Sequence, residues 1–148
     1  MEWPQFKKKS SEKTSAKASG PSTKAVGDAA EDAALAHLQA AGLRLVTRNF
    51  RTPGRGGGEI DLIMRERDGM LVFVEVRRRA SASHGGAAAS VGAIKQRRIV
   101  FAARHYLLRL GQVPPCRFDV VLVQGDANSH AALPTLDWIR AAFDADAA

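Results

Sequence analysis

The chain has one cysteine, Cys116, so no intrachain disulfide can form and a reducing compartment suits it. A lone thiol is usually buried, and Cys116 is expected to be a small core side chain. Four histidines, His37, His84, His105 and His130, show none of the spacings that ligate zinc. No apolar run reaches the ~18 residues of a membrane span. The positive N-terminus is followed by no apolar segment of the secretory kind, so a cytoplasmic location is the expectation. No internal repeat is present. "PGRGGG" matches neither a P-loop nor a dinucleotide fingerprint. Acids are scarce too: 15 Asp plus Glu stand against 22 Lys plus Arg, a formal net charge of +7. That surplus favours a polyanionic partner, nucleic acid first.

What is there suits one ordinary domain. The length is 148 residues and 45% of them are apolar. Such a chain buries roughly two-thirds of its unfolded surface, enough for a real core. The charge is uneven. Residues 1–26 carry Lys7, Lys8, Lys9, Lys13, Lys17 and Lys24 against Glu2 and Glu12, a net of +4 that leaves +3 for the rest. Residues 1–23 have little to bury and are expected to form a disordered basic tail. Residues 24–148 are expected to form a single domain.

Within that domain Ala25 to Ala41 reads as an alanine-rich helix, with Asp28, Glu31 and Asp32 in its first turns and Gly42 as its stop. Leu43 to Phe50 reads as a strand and 51–58 as a loop. Glu59 to Arg65 and Leu71 to Arg77 are strands around "RDG". Residues 80–92, small throughout, read as a mobile loop. In Ile94 to Leu110 a helical stripe runs through Ile99, Ala102, Ala103, Tyr106, Leu107 and Leu110. Arg117 to Val123 is a strand, and Leu136 to Phe143 a terminal strand or helix. The order α-β-β-β-α-β indicates a mixed α/β sheet with helices on its faces.

The hairpin poses the chemical question. Glu75 shares a strand face with Phe73 and Arg77. A two-residue Asp68-Gly69 turn would set Asp61 on the opposite face. A three-residue Arg67-Asp68-Gly69 loop would set Asp61 opposite Glu75, with Gly69 left-handed. Two facing carboxylates repel unless something binds them. A divalent cation needs such hard oxygens in one place, and beside a basic surface its natural substrate is a phosphodiester. The plainer alternative is that each acid is solvated or paired with Arg77, Arg78 or Arg79. The acids are expected on one side, within reach of one cation.

Four runs occur in order: "GDAAEDAALAHLQAAGLRLVTRNFR", "GEIDLIMRERDGMLVFVEVRRR", "AIKQRRIVFAARHYL" and "RFDVVLV". Together they resemble the PD-(D/E)XK nuclease superfamily and, more closely, the YraN-like family of predicted endonucleases. The resemblance covers roughly residues 25–123. It implies a restriction-endonuclease-like core, a mixed sheet flanked by helices. It also implies a metal-dependent nuclease that hydrolyses DNA phosphodiester bonds with Mg²⁺ or Mn²⁺. Asp61 and Glu75 then match the metal-binding acids, the Val76 carbonyl a further ligand, and Glu31 a first-helix acid that contacts a metal-bound water. Arg77 stands where the superfamily places Lys. Because Arg stays protonated, it can offer fixed charge but not act as a base. Lys95 is the candidate to supply the missing ammonium if its helix end reaches the site. Arg55, Arg78, Arg79, Lys95, Arg97 and Arg98 are the candidate phosphate contacts, with residues 53–58 a flexible loop facing DNA. Without chemistry at Arg77, the alternative is a non-catalytic nucleic-acid-binding module. Asp119, inside an apolar strand, is expected in a buried ion pair.

Overall fold

The computed structural model describes residues 20, 22–79, 91–125 and 134–147. Most of the expected basic tail, 1–23, and of the expected 80–92 loop lies outside the described residues; where they are described, Ser22 and Thr23 belong to the start of a helix and Val91 is buried in the core, against the expectation. Helix α1 spans Thr23–Ala40. It starts two residues earlier than expected because Ser22 is a competent N-cap: its Oγ accepts a hydrogen bond from the Ala25 N–H at 3.1 Å. One face buries Val26, Ala30, Ala34 and Leu38, at four-residue spacing, and the two alanines let the helix lie close to the sheet.

Strands β1 (Arg44–Arg51), β2 (Glu59–Arg65) and β3 (Leu71–Arg79) form an antiparallel meander. Helix α2 (Ala93–Leu110) then crosses over to β4 (Cys116–Gln124), which pairs parallel with β3. Gly111, left-handed at φ 73°, ends α2, and its N–H donates to the Leu107 carbonyl. Strand β5 (Thr135–Phe143) closes the far edge antiparallel to β4, so the sheet order is β1-β2-β3-β4-β5. The C-terminal segment, open between strand and helix in the sequence, is therefore a strand.

The central strands β2, β3 and β4 are apolar on both faces because a helix covers each. Ile63, Leu71, Phe73, Phe118, Val120 and Leu122 pack against Ile99, Ala102 and Ala103 of α2. Leu62, Met64, Val72, Val74, Val121 and Val123 pack under Ala30, Ala34 and Leu38 of α1. This three-layer mixed sheet is the restriction-endonuclease-like core that the resemblance implied.

Two expectations fail at the margins. Cys116 is exposed, because it opens β4 directly after the exposed Pro115. Leu110, the last member of the α2 stripe, is also exposed, in the final turn of the helix. Asp119 meets its expectation. It is fully buried, accepts from Arg117 Nε at 3.0 Å, and also takes Trp138 Nε1 and the Ala141 N–H.

Candidate active site

The hairpin register is that of the three-residue loop. Glu66 N–H donates to the Met70 carbonyl, Gly69 has φ 94°, and pairing continues through Arg65–Leu71 to Leu62–Val74. Extrapolated one rung, Asp61 stands opposite Glu75. The ladder stops there. The Val76 N–H, which the following rung would use for the Ile60 carbonyl, donates instead to Asp61 Oδ2 at 2.8 Å. A carboxylate thus replaces backbone at a fork between β2 and β3.

The cause lies in β1 as well. Asn49 has φ 51°, the left-handed conformation that Asn tolerates better than most residues. On one side of it Arg48 and its partner Leu62 face α1. On the other, Phe50 and its partner Ile60 join the core under α2. The strand pair exchanges faces at Asn49 and Asp61, which places Asp61 where both helices can approach.

From α1 comes Glu31, nine residues into the helix and outside its first turn, so the helix dipole does not explain it. Arg48 holds it at 3.5 Å and Asp32 at 2.9 Å. Burial pushes the Glu31 carboxyl up, the Asp61 charge raises it further, and Arg48 and Asn49 pull it down. From α2 comes Lys95, whose Nζ lies 3.3 Å from Glu75 Oε1. The approach of α2 depends on Gly58: a Cβ there would stand 1.9 Å from the Arg98 carbonyl oxygen. The base of the glycine loop is pinned rather than flexible. Thr52 Oγ1 bonds both the N–H and the carbonyl of Gly58.

Glu75 is buried, and its Oε2 has no hydrogen-bond partner. An unsatisfied buried carboxylate oxygen is costly. Asp61 is pushed up to about 7, first by burial and then by the Glu75 charge, against the Val76 N–H and Lys95. The structure therefore brings together Asp61, Glu75, Val76, Glu31 and Lys95. Arg77 lies on the Glu75 face of β3, half-buried beside Leu122 of β4. Arg78 points to the other face, Arg79 ends the strand, and Arg55 is exposed in the 52–58 loop. Arg97 and Arg98 are exposed on α2. Sequence reasoning missed Asn49 and Arg48. The signal was an Asn inside a strand, "TRNFR", where a β-former is expected.

The model of the uncharacterised protein family UPF0102 matches residues 30–123. A UPF0102 protein of Paracidovorax citrulli is 71% identical over 123 residues, 83% of this chain and 85% of the relative. The chain belongs to the UPF0102 family. A UPF0102 protein of an Acidovorax species is 62% identical over 90% of this chain and 95% of its own length. One from Cupriavidus taiwanensis is 57% identical over 86% and 89%. The match runs from within α1 to within β4 and includes every residue of the fork. Among the described residues no helix of this UPF0102 protein is long and apolar enough to cross a membrane.

Proposed function

We propose that this protein hydrolyses phosphodiester bonds in DNA with Mg²⁺ or Mn²⁺ held at the fork. The observation that carries the reading is the buried pair Asp61 and Glu75, with one acceptor, Glu75 Oε2, left without a partner. The residues fit a hard cation: two carboxylates, with the Val76 carbonyl as the third ligand that the family resemblance implies. Among the described residues no three His, Cys, Asp or Glu side chains are grouped to hold a metal, so main chain and substrate phosphate must complete the set. When bound, the cation supplies Lewis acidity and a lowered water pKa.

The side chains divide the remaining work. Lys95 reaches Glu75 from α2 and supplies the ammonium that the superfamily takes from the position of Arg77. Arg77 adds a fixed positive charge for the phosphate as negative charge develops on it. Arg48 pairs with Glu31, whose carboxyl feels the Asp61 charge. Arg55, Arg78, Arg79, Arg97 and Arg98 offer contacts to the flanking backbone.

The test is cleavage of labelled linear, nicked and branched DNA across Mg²⁺ and Mn²⁺ titrations, wild type against Asp61→Ala. Cation-dependent cleavage by the wild type alone supports the reading. Absence of cleavage from every substrate rejects it. Two observations favour a second reading, a binding module with a degenerate site: Arg77 replaces the usual Lys, and the Lys95 ammonium is already paired with Glu75. Intact DNA affinity without cleavage would select it.

A further inference from the structure

Helix α2 buries Ile99, Val100, Ala102 and Ala103 and turns a second apolar stripe the other way. Ile94, Phe101 and Leu108, seven residues apart, are 67%, 46% and 78% exposed. Phe101 is the centre. On a helix surface a residue adjoins positions i−4, i−3, i+3 and i+4. For Phe101 these are Arg97, Arg98, Arg104 and His105. The His105 ring lies 4.8 Å from the phenyl ring, centroid to centroid, at 58°, and widens the aromatic surface. Helix α2 has no acidic residue. Among the described residues none of these four neighbours is ion-paired.

A face that only touched phosphates would need the arginines and not the ring. An exposed phenyl group flanked by three arginines suits a ligand that presents a flat π-surface and negative charge together. In a duplex the base faces are stacked away, whereas an unpaired base can be turned outward. We propose that Phe101, flanked by His105, is a stacking platform for an unpaired base, so that the substrate of the fork is nucleic acid with a single-stranded segment. The inference rests on the nucleic-acid reading above. Lys95, paired with Glu75 at the fork, is six residues before Phe101, about 9 Å along the helix axis and about a third of a turn around it, so a strand that engages both must wrap the start of α2.

The test uses the full chain with the cation chelated, so that binding is read without chemistry. Fluorescence anisotropy of a mixed-sequence oligonucleotide is measured single-stranded and annealed to its complement. Phe101→Ala and Phe101→Leu should each weaken single-strand binding about ten- to a hundredfold, while Phe101→Trp restores it. Duplex affinity should stay within about twofold, because phosphate contacts dominate it. An aminopurine base in the strand should change fluorescence on binding wild type and not Phe101→Leu. Equal losses for strand and duplex would overturn the proposal. So would Phe101→Leu binding like wild type, the result expected if the stripe docks an acidic amphipathic helix. A protein that fails to cleave but keeps the Phe101 effect rejects only the catalytic reading.

Discussion

Replacing Asp61 with Asn should stabilise the cation-free protein, and the gain should grow with pH. Asn keeps an oxygen to accept the Val76 N–H and removes the charge that burial and Glu75 oppose. The folded-state value is raised from 3.8 to about 7, so between these limits the folded protein holds a proton that the unfolded chain has lost. Folding stability therefore falls as pH rises through that window, and the full penalty is present above about pH 7. At about 1.4 kcal/mol per pH unit the ceiling is about 4 kcal/mol. Sharing of one proton with Glu75 reduces this, and roughly 1–3 kcal/mol is expected at pH 8. That corresponds to a Tm roughly 3–10 °C higher for Asp61→Asn at pH 8, with almost no difference at pH 4. Differential scanning calorimetry of both proteins over that pH range reads it directly. Mg²⁺ or Mn²⁺ at a hundred times its Kd should then raise wild-type stability by about 2.7 kcal/mol and leave Asp61→Asn nearly unchanged. If Asp61→Asn is destabilised equally at pH 4 and pH 8, the reasoning is wrong and Asp61 is merely the anchor of Val76.

Gly58→Ala should force α2 away from the loop, because its Cβ would meet backbone that cannot rotate aside; a loss of roughly 1–3 kcal/mol in urea unfolding is expected. Asp119→Ala leaves Arg117 Nε, Trp138 Nε1 and the Ala141 N–H without their acceptor, and should cost about 3–5 kcal/mol by the same measurement. Arg77→Lys should keep or increase cleavage at saturating Mn²⁺, and Arg77→Ala should lower it about a hundredfold; equal measurable rates in all three proteins would remove Arg77 from the site.

The order of elements was legible in the sequence because each carries its own local signal. The α2 stripe, the Gly42 and Gly111 stops and the apolar run of β4 are such signals. Even the register of the hairpin could be argued, since Gly69 and the two acids favour one loop length. The fork itself was not legible. It depends on a left-handed Asn49 one strand away, and a single such residue leaves no periodicity to detect. The contact of Lys95 with Glu75 depends on how closely α2 can approach, which Gly58 decides through one missing methyl group. Ser22 capped α1 earlier than the alanine run suggested, and this set Glu31 two residues deeper into the helix. Cys116 went against its residue type because it sits at a strand start rather than within one.

The family match ends at residue 123, but the physical domain does not. β5 lies beyond that boundary, and it lends Trp138 Nε1 and the Ala141 N–H to a carboxylate at the heart of β4. A chain cut at 123 would keep every residue of the fork and yet strip β4 of its outer neighbour. The cut would expose a flat apolar edge, "FDVVLV", of the kind that pairs with other chains and aggregates. The smallest unit that can be expected to fold and be assayed is set by Asp119 and not by the outline of sequence similarity.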